Sequence, residues 1–79
     1  MKLDLVRVKW IDSCSQRGAG TWVDLDDVME MEPVEVESVG FLLRDEKDFI
    51  VIASHLCSSQ IGGDLCIPRS CIVKMKSVK

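Results

Sequence analysis

Val6, Val8 and Trp10 alternate with Arg7 and Lys9, which is the two-residue period of a strand with one face buried and one in water. Asp12-Ser13-Cys14-Ser15 ends that strand, because short polar side chains capture backbone groups in turns. Gln16 to Gly20 reads as a flexible loop and Thr21-Trp22-Val23 as a short apolar return. Asp24 is a candidate helix N-cap, with Asp26 and Asp27 in the first turn, where the helix dipole favours acids. Leu25, Val28 and Met29 would share one face of this helix, which should run to about Met31 before Pro33 stops it.

The pattern then returns to strands. Val34 and Val36 alternate with Glu35 and Glu37, but after Ser38 the apolar phase moves to Val39, Phe41 and Leu43. A one-residue change of phase beside Gly40 predicts a bulge or a sharp bend. Asp45 to Asp48 is a hairpin turn by composition. Phe49 to Ala53 is apolar at every position, so this strand should be covered on both faces. Ser58 to Asp64 reads as a loop. Leu65-Cys66-Ile67 is a strand ended by Pro68, which has no backbone donor, and Ile72 to Lys76 resumes a strand after a tight turn held by Ser70. The total is five strands and one short helix in the long loop after the first.

At 79 residues the chain is one domain, 1–79, and chains of this size bury only about 60% of their unfolded surface. Stability at that length usually needs disulfides, metal or oligomerisation. The four cysteines form no Cys-x-x-Cys pair and are expected to be small buried apolar residues in a reducing compartment. The N-terminal residues carry charges where a signal peptide needs an apolar run, and no stretch is long enough to span a membrane, so a soluble protein is expected. Aromatic residues are only 5% of the chain, so the core must be mainly Val, Ile and Leu.

Net charge is −3, but its distribution is uneven: positions 18–43 carry seven acids and no base, and the rest carries ten bases and six acids. Arg7, Lys9, Lys74, Lys76 and Lys79 all lie on the first and last strands. If those strands are neighbours, their outward faces merge into one basic patch. That patch could be a solvated face, an anion or nucleic-acid surface, or a dock for the acidic region of another subunit. The overall acidity counts against long nucleic acid.

Catalytic and metal chemistry find little to work with. His55, Cys57, Cys66 and Cys71 have ligand chemistry, but their spacing does not fit the paired ligands of structural zinc. One histidine, scattered carboxylates and no nucleophile elbow or phosphate loop assemble no catalytic set and call for no cofactor. Asp12 and Ser13 near His55 could be imagined as nucleophile and base, but capping suits their turn positions better. A binding protein, not an enzyme, is the expectation. Trp10 and Trp22 are either both core, as the largest side chains present, or one of them lies exposed at the rim of the long loop.

Gly63-x-Leu65-x-Ile67-Pro68-x-Ser70-x-Ile72 resembles the end of SH3-like barrels, where a single 3₁₀ turn joins the last two strands. The fold expected is therefore all-β, a small five-stranded SH3-like barrel with a short helix in its first loop. Four segments together carry a wider resemblance: Trp10-x-Asp12-Ser13, Gly20-x-Trp22-x-x-Leu25-Asp26, Ser38-Val39-Gly40-Phe41-Leu42 and Ile67-Pro68-x-Ser70-Cys71-Ile72. In this order they resemble a family of small tailed-phage proteins.

The resemblance implies a bacteriophage origin and action in the host bacterial cytoplasm. Many short non-virion phage proteins counter host defences, some by sequestering a nucleotide signal. Arg17 and Arg69 would then clamp a phosphate while Trp22 or Trp10 stacks on the base, at the end of the barrel that the 3₁₀ turn borders in SH3-like folds. Asp12 and Ser13, where the long loop opens, complete the candidate ligand-binding set. The alternatives are an adaptor that binds a host or phage protein and, last, an RNA- or DNA-binding module. Because a small barrel has one interior and Phe49–Ala53 offers two apolar faces, a homo-oligomer is expected.

Overall fold

The computed structural model describes residues 3–15 and 22–78; Arg17 and Lys79 lie outside the described residues. The chain forms β1 (Leu5–Asp12), α1 (Leu25–Met29), β2 (Val34–Asp45), β3 (Phe49–Leu56), β4 (Ile61–Pro68), a 3₁₀ turn (Arg69–Cys71) and β5 (Ile72–Ser77). All five strands join one antiparallel sheet in the order β4-β3-β2-β1-β5. The protein is all-β apart from its short helix.

The edge strands β4 and β5 are joined by only the three residues of the 3₁₀ turn. In a flat sheet they would stand about 19 Å apart, at roughly 4.8 Å per strand spacing, whereas three 3₁₀ residues advance only about 6 Å. The sheet must therefore curl until its two edges approach one another at that end. The 3₁₀ turn accordingly touches both β1 and β3. No β4–β5 ladder closes the curl among the described residues.

The core lies inside the curl. Val6, Val8 and Trp10 of β1, Ile50 and Ile52 of β3 and Ile67 of β4 are buried, with Val36, Leu42, Leu65, Cys71, Ile72 and Met75 packed against them. Register explains the selection, since residues directly opposite in an antiparallel pair point to the same face. Val6 faces Gly40, Val8 faces Ser38 and Met75, Ile50 faces Ile67, and Ile52 faces Leu65.

Three expectations change. The phase change in β2 is not a bulge at Ser38: the β1–β2 ladder runs unbroken from Asp12↔Val34 to Leu5↔Phe41, and the irregularity falls between Leu42 and Arg44. Ser38 and Gly40 hold inward positions because neighbours already fill that space. The Trp10 indole N–H donates to Ser38 Oγ at 3.1 Å, and a side chain at Gly40 would strike the Ala53 carbonyl. The segment Ser58–Asp64 is only partly loop, since Ile61–Asp64 already pair in β4. Gly63 has φ +65°, a conformation that hides a strand from residue propensities.

The helix also ends earlier than expected, at Met29, and it buries none of its residues. Asp24 precedes it with extended backbone angles but makes no side-chain capping bond. The cysteines are not buried as expected: Cys14, Cys57 and Cys66 are exposed and Cys71 is half-buried, and Cys14 Sγ donates to the Glu32 carbonyl at 3.1 Å, fastening the base of this insertion. The radius of gyration is 16.0 Å, against about 12 Å for a compact chain of this length, in keeping with an arm that stands off the sheet.

Candidate functional site

Of the residues predicted to form a ligand site, Arg17 lies outside the described residues, and Trp10, Trp22 and Arg69 lie in the core, on the arm and at the 3₁₀ turn. Trp10 is only 9% exposed and belongs to the core, its indole N–H satisfied by Ser38. Trp22 is 93% exposed on the arm. The two tryptophans therefore take opposite roles, and only Trp22 offers a free ring face.

Arg69 does project from the 3₁₀ turn, but the β2–β3 hairpin occupies its guanidinium. Nε donates to the Glu46 carbonyl at 3.2 Å, Nη2 pairs with Asp45 Oδ1, and its backbone N–H donates to the Asp48 carbonyl at 2.8 Å. These bonds pin the turn after β4 to the turn before β3. A guanidinium already paired with a carboxylate is a poor phosphate clamp, because an incoming anion must displace Asp45. Beside it Arg44 pairs with Glu46 at 3.3 Å and stacks over Phe49, 4.8 Å from the ring centroid.

Asp12 and Ser13 line a shallow cleft at the base of the arm with Cys14, Ser15 and Val34. The Ser13 backbone N–H donates to Asp12 Oδ1 at 2.8 Å, which is the capping role their turn position suggests. His55 is elsewhere: Asp12 pairs with Val34 where β2 begins, whereas β3 carries His55 past the last β2 pairing to face Gly62 of β4. No nucleophile–base pair forms from these residues. Among the described residues no group of three or more His, Cys, Asp or Glu side chains could hold a metal ion, and no helix is long and apolar enough to cross a membrane.

The basic patch does assemble. β1 and β5 are neighbours, and Arg7 lies opposite Lys76 while Lys9 lies opposite Lys74. All four point away from the core, since the alternate residues Val6, Val8 and Met75 point into it. With Glu37 they line a cleft of about 170 Å³. Arg7 bonds to Glu37 at 3.3 Å and Lys9 to Glu35 at 3.4 Å, diagonally across the β1–β2 ladder. Lys74 and Lys76 pair with no carboxylate among the described residues, so the face keeps an excess of positive charge. The alternation of both strands carried this signal in the sequence. What it lacked was a reason to prefer this face over the arginines in the turns.

The chain matches no protein-family model, no curated protein sequence and no solved structure.

Proposed function

We propose that this protein is a non-enzymatic binding module that captures a phosphate-bearing anion of the nucleotide type on the cationic face of β1 and β5. The observation that carries the reading is the cleft lined by Arg7, Lys9, Lys74 and Lys76, in which two lysines have no carboxylate partner among the described residues. Four cations against the carboxylates of Glu35 and Glu37 leave charge for a di- or triphosphate to neutralise. At about 170 Å³ the cleft is smaller than the roughly 300–1,000 Å³ that enclose a whole ligand. It therefore grips the phosphates and leaves the nucleoside outside.

The strand order and the three-residue 3₁₀ link between the edge strands support an SH3-like barrel left open between β4 and β5. The resemblance to small tailed-phage proteins supports a role in the host bacterial cytoplasm, where removing a signalling nucleotide would blunt a defence response. Capture needs only stoichiometric binding and no catalytic group.

Isothermal titration calorimetry against pyrophosphate, cyclic nucleotides and ADP-ribose-type nucleotides tests the reading. At least one should bind below about 10 μM, near −7 kcal/mol. The double variant Lys74→Ala/Lys76→Ala should bind it at least tenfold more weakly. If none of the panel binds, or if the double variant binds as the wild type does, the proposal fails.

A further inference from the structure

The arm between β1 and β2 has a chemistry its own sheet does not complete. Trp22 is 93% exposed, Leu25 72% and Met29 75%. Isolated helices shorter than about twelve residues are marginal in water, and helical stability in proteins comes mostly from packing an apolar face. None of the five residues of α1 is buried in its own chain, and Leu25 and Met29 keep most of their surface exposed. This helix needs a second surface.

From Trp22 to Pro33 the arm carries Asp24, Asp26, Asp27, Glu30 and Glu32 and no basic residue. A surface that accepts it must be both cationic and apolar. The face of β1, β2 and β5 that points away from the core has both properties. Arg7, Lys9, Lys74 and Lys76 supply the charge. Val39, opposite Arg7 and 47% exposed, supplies apolar ground, as do the aliphatic stems of the lysines.

We infer that the arm of one copy docks on this face of a second copy, and that the exchange is reciprocal in a two-fold dimer. The arm leaves the sheet where Asp12 and Val34 pair, at the end of the same two strands that carry the receiving face. A two-fold axis beside that point sets each arm across the other subunit's face, and both copies are satisfied by one arrangement. The arm supplies Trp22, Leu25 and Met29 as apolar anchors, and its acids meet Lys74 and Lys76. This inference stands without the anion reading, although both use the two lysines. An anion in the cleft and an acidic arm on it compete, so the bound anion weakens the dimer.

Charge reversal by halves tests it. Sedimentation equilibrium of the wild type should give a mass near twice the 8.9 kDa of the chain. Asp24→Lys/Glu30→Lys/Glu32→Lys leaves two acids against three bases between Trp22 and Pro33 and so puts a basic arm against a basic face, and Lys74→Glu/Lys76→Glu puts an acidic arm against an acidic face. Each should sediment as a single chain when alone. Mixed in equal amounts they should recover the doubled mass, since both interfaces of the mixed pair are complementary.

Trp22→Ala, at a position with no role in the core, should also sediment as a single chain. The inference is overturned if the wild type is a single chain at 100 μM or forms a larger ring. It is equally overturned if the reversed variants keep the wild-type mass or fail to recover it on mixing. The arm variant leaves every cleft residue in place, so its pyrophosphate affinity, measured separately, reports on the anion reading alone.

Discussion

Gly40 of β2 lies so close to Ala53 of β3 that a methyl group on it would stand 2.9 Å from the Ala53 carbonyl oxygen. Both residues are buried, and the atom that would be struck is backbone in a paired strand, so no side-chain rotation relieves the overlap. Gly40→Ala should therefore destabilise the fold despite the usual gain from replacing glycine, by about 1–3 kcal/mol as an overpacking change. Urea denaturation checks the sign. A midpoint equal to or above that of the wild type would mean that the two strands separate more easily than their geometry indicates.

Ile67 is fully buried opposite Ile50 and stands two residues before the turn that brings the sheet edges together. Ile67→Ala should cost about 2–5 kcal/mol. In a chain of this length each kcal/mol is worth roughly 4–8 °C of melting temperature, so a thermal melt should fall by ten degrees or more. Pro68→Ala should cost less, because Pro68 is exposed and contributes mainly its fixed φ before the turn.

Arg69 and Asp45 form an ion pair whose side chains are 37% and 51% exposed. Screening by water limits such a pair to at most about 1 kcal/mol, so Arg69→Ala should be nearly silent in a melt. It should also leave nucleotide or pyrophosphate affinity unchanged, because the guanidinium is committed to the hairpin. Calorimetry that finds a tenfold loss in this variant would move the anion site to the 3₁₀ turn.

Among the described residues no aromatic side chain lines the cationic cleft. Affinity there should follow the number of phosphates and change little with the base. Raising salt from 50 to 300 mM should weaken binding, since exposed charges are screened over a shorter distance. A calorimetric series of mono-, di- and triphosphates of two different bases reads both effects. Discrimination of more than tenfold between bases at equal phosphate number would contradict a cleft that holds phosphates alone.

Much of this architecture was legible in the alternation of β1 and β5, because a side chain's face in a strand depends on position alone. The same rule set Arg7, Lys9, Lys74 and Lys76 on the outward sides of their strands, and the pairing of β1 with β5 joins them on one surface. It misled at β2, where the inward positions go to Ser38 and Gly40. Polarity and size there are set by the indole of Trp10 and the backbone of Ala53, and local sequence carries no trace of either. The separation of the two tryptophans has a similar origin. Trp10 stands in phase with Val6 and Val8, whereas Trp22 lies on an arm whose surroundings the alternation does not describe. The pairing of Arg69 with Asp45 spans 24 positions and exists only because the sheet curls.

β1 is the first strand made and β5 the last, yet they lie side by side, with Val8 facing Met75. During synthesis β1 can gain its β2 neighbour early, but its other edge stays open until Ile72 to Ser77 leave the ribosome. Until then Val8 and Trp10 have a wall missing, and closing it requires the longest loop in the domain. A ribosome stalled with β5 still in its tunnel would hold an unfinished sheet. The pairing of Ile72–Ser77 with β1 thus completes two things at once: it supplies the missing wall beside Val8, and it brings Lys74 and Lys76 alongside Lys9 and Arg7 to make the cationic face.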